Sequence, residues 1–422
     1  MHGQSIAFAS SLLLSLAVLG CGKDRAPTPP LTATQPQEIT GTTAPTHTSQ
    51  TADAPGEKCL AKEVGSRVIQ DPTTHAGAIA APADQTGVEL RPSVATTEGS
   101  LFVEGLEPIG GAAGTVYLRG RDKQGEPTPY FSWRPGNSDP TIVWSLAPGR
   151  QDLVEGKAGD KLVITRSGFS APLADWELIL KDEATGKNCV LATVDRDIVA
   201  FRPKTFGVPW ALPTPSVSGT RIVWVEWSKN GDGGFSRRLR LYNTATAETV
   251  TLADAPDASL EGIWEPSISG EKVAWIQKKE GRDFEVVLRD LRDDSQKSYS
   301  IPVEPVKATL FDGGDRFAWD IQDGSFVYDF RTAQSVRYAN IGGNTLATRT
   351  YVSSWVSPDW IGYFDAASGY FQPIDNKGAT TIAAFIFGDF FLWQERRPDP
   401  SDPAPVGQKR EISRYYALKL PG

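Results

Sequence analysis

Pro215-Ser216-Val217-Ser218-Gly219-Thr220-Arg221-Ile222-Val223-Trp224 returns, without a gap, as Pro266-Ser267-Ile268-Ser269-Gly270-Glu271-Lys272-Val273-Ala274-Trp275. Each stretch is followed by a second apolar run ending at a turn residue: Leu239-Arg240-Leu241-Tyr242-Asn243-Thr244 in one case, Val286-Val287-Leu288-Arg289-Asp290-Leu291 in the other. β-Branched and aromatic residues fill the runs, and Gly, Asn and Asp separate them, so the repeating unit is made of strands. An internal repeat of this kind settles the architecture before any single motif is weighed.

Three more copies follow. Gly314-Asp315-Arg316-Phe317-Ala318-Trp319 with Phe326-Val327-Tyr328-Asp329 is the third, Thr350-Tyr351-Val352-Ser353-Ser354-Trp355 with Ile361-Gly362-Tyr363-Phe364-Asp365 a degenerate fourth, and Gly388-Asp389-Phe390-Phe391-Leu392-Trp393 with Ser413-Arg414-Tyr415-Tyr416 the fifth. The tryptophans advance by 51, 44, 36 and 38 residues, the size of a four-stranded propeller blade. A blade is covered on both faces, which explains runs such as Ile222-Val223-Trp224-Val225 that are apolar throughout instead of alternating. Trp224, Trp275, Trp319, Trp355 and Trp393 are therefore expected to pack between blades, with Gly219 and Gly270 in the tight turn before them. Five blades are expected, six or seven if divergent copies count. The last copy ends at Lys419-Leu420-Pro421-Gly422 with three strands, so its fourth must come from elsewhere, and Asp197-Ile198-Val199-Ala200-Phe201 is the expected donor.

These residues resemble the blades of bacterial TolB-like β-propellers, which repeat P-x-h-S-G-x-x-h-h-W (h, apolar) and then h-h-h-Y-D-h-x-T. The resemblance covers roughly residues 205 to 422. The Ser-Pro-Asp-Gly turn common in TolB blades is absent, so the resemblance implies an architecture and no partner.

At the other end, Ile6 to Leu19 is an apolar stretch of signal-peptide length, too short for a permanent span. It closes on Val18-Leu19-Gly20-Cys21, which resembles the bacterial lipobox; the resemblance implies lipidation at Cys21 and, with Gly22 and Lys23 following, an outer-membrane address in a Gram-negative cell, with a plain secretory signal or an uncleaved anchor as the alternatives. The Pro- and Thr-rich residues after it have too few apolar side chains to bury and read as a tether. The sequence thus divides into a signal peptide (1–20), a tether (21–58), a β-sandwich-like region (59–196) and a propeller (197–422). In the third of these, strand-like runs such as Thr115-Val116-Tyr117-Leu118 and Thr141-Ile142-Val143-Trp144 alternate with turn residues as in a sandwich. Ala158-Gly159-Asp160-Lys161-Leu162-Val163-Ile164, with Trp176 to Gly186 after it, reads either as the end of a jelly-roll-like module or as an extra, degenerate blade, and the separate sandwich is the expectation.

With Cys21 set aside, Cys59 and Cys189 remain, an even pair suited to a disulfide in an oxidising compartment, where two free thiols are the alternative. A bridge closing about 130 residues contributes on the order of 4 to 5 kcal/mol by chain entropy. The formal charge of −8 argues against nucleic acid as a partner. His2, His47 and His75 are the only histidines, so neither a Ser-His-Asp or Cys-His set nor a multi-histidine metal site can be assembled, and no cofactor is implied.

Carboxylate chemistry needs only a pair of acids, and Glu226, Glu265, Asp320, Asp323 and Asp329 lie in or beside blade strands, although turns and rims want such residues anyway. Asn230 to Gly234 and Asp312 to Asp315 lack the ligand spacing of a calcium loop. Trp210, Trp227, Trp264 and Trp360 fall outside the apolar runs and are the candidates for contact with a ligand at the propeller rim. Arg237, Arg238 and Arg240 read as a solvated edge. The composite expectation is a lipid-anchored, non-catalytic binding scaffold of the cell envelope, with an envelope protein or glycan as partner; carbohydrate recognition and carboxylate-dependent glycoside hydrolysis are the alternatives.

Overall fold

The computed structural model describes residues 57–67, 74–78, 89–90, 94–95, 102–104, 106–121, 125–135, 139–168, 175–194, 213, 215–229, 235–256, 262–278, 284–301, 307–321, 324–339, 390–398, 403 and 411–420, and the backbone strands within 347–387. The expected signal peptide, Cys21 and the tether as far as residue 56 lie outside the described residues, as does Asp197 to Phe201.

The described chain is β structure throughout, apart from one 3-10 turn at Asp312–Gly314. Six short strands come first: β1 (Glu57–Lys58), β2 (Lys62–Ser66), β3 (Thr74–Ala78), β4 (Glu89–Leu90), β5 (Val94–Ala95) and β6 (Phe102–Glu104). Antiparallel meanders follow. Meander I contains β7 (Glu107–Ala112), β8 (Thr115–Arg119), β9 (Thr128–Trp133) and β10 (Thr141–Leu146), and meander II contains β11 (Arg150–Ala158), β12 (Lys161–Gly168), β13 (Trp176–Asp182) and β14 (Asn188–Thr193). The repeat that defines the sequence forms meander III, with β15 (Ser216–Ser218), β16 (Arg221–Lys229), β17 (Phe235–Asn243) and β18 (Glu248–Pro256). Its ungapped partner is meander IV, with β19 (Gly262–Ser269), β20 (Lys272–Lys278), β21 (Phe284–Asp290) and β22 (Gln296–Ile301). Meander V is β23 (Lys307–Phe311), β24 (Arg316–Ile321), β25 (Gly324–Asp329) and β26 (Gln334–Ala339), and meander VI is β27 (Ala347–Thr348), β28 (Tyr351–Ser357), β29 (Trp360–Asp365) and β30 (Tyr370–Asp375). Meander VII has three strands of its own, β31 (Thr380–Phe387), β32 (Phe390–Pro398) and β33 (Glu411–Lys419), and takes its fourth from β6, antiparallel to β33.

The first strand of each meander lies against the first strand of the next, from β7 through β11, β15, β19, β23 and β27 to β31, and β31 lies against β7. That closes a ring of seven units among the described residues. The fold is a β-propeller. Blades I and II approach so closely that their first strands share one parallel bridge, Val154 opposite Gly110; a Cβ on Gly110 would stand 1.9 Å from the Val154 carbonyl oxygen, so only glycine fits.

Two expectations are corrected here. The expected closing strand at 197–201 is replaced by β6 at residues 102–104. Residues 59–196 do not form a self-contained sandwich: β7 to β14 make two further meanders, and the strands before them hydrogen-bond into other blades. The reason is visible in β12, where all residues from Leu162 to Gly168 are buried on both faces; a sandwich strand would leave one face in water. Gly159, at φ 63, turns the chain into that strand as Gly219 and Gly270, both at φ 60, do in blades III and IV.

The N-terminal strands form a belt. β1 adds in parallel to the outer strand of blade II, β2 to that of blade III, β3 to that of blade IV, and β4 and β5 to that of blade VI. Three devices fasten it. Cys59 is disulfide-bonded to Cys189 in β14. The Arg240 side chain of blade III bonds Glu63 of β2, Thr251 and, at 3.2 Å, Glu226. Arg289, 1% exposed between blades III and IV, donates to the carbonyl oxygens of Arg67 (2.8 Å) and Leu252 (3.0 Å) and to Asp294 Oδ1 (3.0 Å).

The core consists of the layers between blades. Ile222 and Trp224 pack back on Val163, Leu178 and Leu180 of blade II, while Val223 and Val225 pack forward on Ile263, Val273 and Trp275 of blade IV. Trp319 likewise faces back on Ala274, Ile276 and Val286. Alternate residues of one strand therefore serve two different layers, which is why the run is apolar throughout. The indoles of Trp224, Trp275, Trp319 and Trp393 are all buried as expected, and the Trp355 side chain lies outside the described residues.

Candidate binding face

The buried indoles still carry an N–H that needs an acceptor, and a strand supplies one two residues on, on the same face. Trp224 Nε1 donates to Glu226 Oε2 (3.1 Å), Trp275 Nε1 to Gln277 Oε1 (3.3 Å) and Trp393 Nε1 to Glu395 Oε1 (2.8 Å). In blade V the corresponding position is Ile321, and Trp319 Nε1 has no partner among the described residues. Glu226, a carboxylate candidate, is thus a partner for an indole and for Arg240; burial pushes its pKa up, and Arg240 and Trp224 oppose that shift.

The other carboxylates divide clearly. Asp329 Oδ1 accepts from the backbone N–H groups of Arg331 (2.8 Å) and Thr332 (3.1 Å), an Asx-type turn between the third and fourth strands. Asp290, Asn243 and Asp182 make the same turn in blades IV, III and II. Partial burial of Asp329 is outweighed by hydrogen bonds from Arg331, Thr332 and Arg316, which hold its pKa at about 2. The Arg292 side chain holds Asp290 at about 2, and that of Lys161 holds Asp182 at about 2. Asp312 and Asp315 flank the turn into β24 and face Arg316, Arg331 and, for Asp315, Lys272 at 2.8 Å. Glu265 has φ 48 at a bulge in β19; the Asp320 side chain, Asp323 and residues 230–234 lie outside the described residues. Among the described residues no three His, Cys, Asp or Glu side chains gather as a metal site.

What the fold does assemble is aromatic and cationic. Trp227 and Arg237 face each other across the β16–β17 hairpin, and the Arg237 guanidinium lies 4.6 Å from the Trp227 ring centroid. The start of blade IV brings Trp264 to its other side, with the guanidinium 5.6 Å from that centroid. Two local features permit this. Gly262, at φ 138, lies under the arginine side chain, and a Cβ there would come within 3.1 Å of Arg237 Cδ. The bulge between Trp264 and Ser267 re-aims the indole. Trp264 then meets Phe284 edge-on at 5.8 Å, and Lys278 Nζ stands 4.6 Å over the Phe284 ring.

All five residues sit at the same end of blades III and IV, where the second–third strand hairpins and the entries to the first strands lie. Trp227 and Trp264 are half-buried. Each cation–π pair contributes roughly 0.5 to 2 kcal/mol, enough to hold the rings in place.

Of the four rim candidates, Trp227 and Trp264 are brought together. Trp210 and the Trp360 side chain lie outside the described residues. Arg237 is the member that sequence reasoning missed. β17 is an interior strand, paired on both sides, so its arginines are not a solvated edge: Arg238 pairs with Asp254 (2.9 Å), Arg240 with Glu226 and Glu63, and Arg237 with two indoles. The legible signal was the near-symmetry of Trp227 and Arg237 about the hairpin loop.

No family model matches the sequence, and no curated protein matches it. Among solved structures, the chain is similar to a prolyl endopeptidase, at 10% identity and a TM-score of 0.46 over 70% of this chain and 45% of that one. It is similar to TolB from Acinetobacter baumannii, at 13% identity and a TM-score of 0.35 over 58% of this chain and 59% of that one. It is also similar to the β-propeller domain of the Trilobed protease from Pyrococcus furiosus, at 9% identity and a TM-score of 0.44 over 75% of this chain and 96% of that domain. The chain therefore spans 45% and 59% of the lengths of the first two.

Proposed function

We propose that this chain is a lipid-anchored protein of the bacterial cell envelope, outer-membrane in address by its lipobox-like motif, whose propeller is a non-catalytic binding scaffold. The observation that carries the binding assignment is the stack of Trp227, Arg237 and Trp264 at one end of blades III and IV. Rings fixed in place by their neighbours lose little entropy when a ligand covers them, which is what an interface anchor requires. The motif at Val18 to Cys21 and the Cys59–Cys189 disulfide support an exported, oxidising setting. Glu226 and Asp329, tied to arginines and an indole N–H, serve the fold, which favours binding over carboxylate catalysis. The partner is an envelope protein or glycan, and the net charge of −8 speaks against nucleic acid.

The test is capture from detergent-solubilised envelope by the purified chain and by a Trp227→Ala/Trp264→Ala variant of equal thermal stability, with protein and glycan readouts. A specific partner retained by the native chain and lost by the variant is expected. Identical capture by both would overturn the assignment of this face.

A further inference from the structure

Leu60 is 91% exposed, more than any other large apolar side chain among the described residues, and Val64 is 44% exposed. Both lie on the first segment of the belt, where β1 and β2 expose every residue. Cations stand among them: Lys58 and Lys62 are exposed and make no ion pair among the described residues. Val64 shares with Lys62 the face of β2 opposite to Glu63, whose carboxylate is held by Arg240. A lone exposed leucine needs no explanation, but this one stands where the chain first meets the ring. Among the described residues β1 is that first contact, so whatever precedes Glu57 is joined to the blades three residues from Leu60.

The position of Leu60 along the blades is set by two hydrogen bonds. Cys59 N–H donates to the Val190 carbonyl (2.9 Å) and Lys62 N–H to the Ala247 carbonyl (2.8 Å), which belongs to the turn between β17 and β18. That turn follows Asn243, at the end of β17 remote from Arg237, and the six residues between them span about 20 Å. Leu60 and the stack of Trp227, Arg237 and Trp264 therefore lie at opposite ends of the ring.

With the chain lipid-anchored as proposed above, we propose that Leu60 and Val64, flanked by Lys58 and Lys62, rest on the membrane surface itself, so that the ring stands with its aromatic end turned away from the bilayer. Cys21 precedes Glu57 by 36 residues, a covalent reach of up to roughly 120 Å, so the link alone fixes no orientation. The surface beside the point of attachment decides it, and a linked surface needs only weak affinity to stay engaged. An apolar side chain with lysines on either side suits the lipid boundary: the leucine enters the acyl region and the ammonium groups stay among the phosphates.

The test couples the chain from Cys21 onward, Cys59 and Cys189 being disulfide-bonded, through the Cys21 thiol to maleimide-bearing lipid in vesicles of phosphatidylethanolamine and phosphatidylglycerol. Lysine acetylation rates are then read by mass spectrometry on the vesicles and in solution. Lys58 and Lys62 are expected to label at least fivefold more slowly on vesicles, Lys278 at the aromatic end is expected to label equally, and Leu60→Asp, of unchanged thermal stability, is expected to abolish the difference. Equal labelling of Lys58 and Lys62 in both states would overturn the proposal, as would slowing at Lys278 alone or protection that survives Leu60→Asp. Because the link is made chemically, these outcomes do not depend on natural lipidation, which the mass of the N-terminal peptide from the native envelope reads separately. An unacylated Cys21 there would overturn the anchor, whereas equal labelling would overturn only the orientation.

Discussion

Replacing Cys59 and Cys189 together by serine removes the disulfide cross-link between the belt and blade II, and the cost can be worked from the topology. The bridge joins residues 130 apart in sequence, so in the unfolded chain it closes a loop containing nearly all of the belt and blades I and II. The chain-entropy relation gives about 5 kcal/mol for a loop of that length at 25 °C. The native-state contribution of β1 itself is small, because it has two residues, both exposed. Equilibrium urea unfolding of the oxidised protein and the double-serine variant should therefore differ by about 4 to 5 kcal/mol. Trypsin should cut the variant first within residues 57–67, where Lys58, Lys62 and Arg67 lie exposed, held by β2, Arg240 and Arg289. Unfolding free energies equal within about 0.5 kcal/mol, together with an unchanged cleavage pattern, would refute both the loop-closure reasoning and the role of the bridge as the fastening of the belt.

Two further outcomes follow from the layers and turns. Glu395 is fully buried and accepts the Trp393 indole N–H; Glu395→Ala leaves that donor unpaired and should cost about 2 kcal/mol in thermal or urea unfolding, whereas Glu395→Gln keeps an acceptor and should cost clearly less. Asp329 has a folded pKa of about 2 against an ordinary value of 3.8, so the stability it contributes is present above pH 4 and is lost as pH falls toward 2. Asp329→Asn keeps the turn acceptor and removes the charge; unfolding followed from pH 5 to pH 2 should show a shallower acid loss than in the native chain, and an unchanged slope would count against the ion-pair account.

The sequence made the blades legible where the repeat was intact and hid them where the marker residue had changed. Blade III and blade IV share Gly-x-x-h-h-Trp, and their turns, strands and buried indoles fall where the pattern put them. Blade II uses the same turn glycine, Gly159, but carries Ile164 at the position of the indole, so the sequence left it open between a degenerate blade and the end of a sandwich. Its Asp182-Glu183-Ala184-Thr185 turn was equally recognisable beside Asp329-Phe330-Arg331-Thr332. The belt could not be read, because strands such as Lys62-Glu63-Val64-Gly65-Ser66 pair along one edge, face water and carry no apolar period. The binding face was half visible: two tryptophans outside the apolar runs were recognisable, but the arginine between them is defined by strand pairing and a bulge that no local pattern encodes.

The order of the belt has a consequence for how the molecule is made. β1 waits for residues near 189, β2 for those near 249, β3 for those near 298, β4 for Tyr370 and β6 for residues near 415. As a chain emerges from its N-terminus, each newly completed blade finds the next piece of the leading segment waiting for it, so assembly proceeds as sequential lacing around the circle. The last stitch joins Phe102–Glu104 to the final strand, and until it is made both ends of the stack expose raw backbone to any chaperone or neighbour within reach.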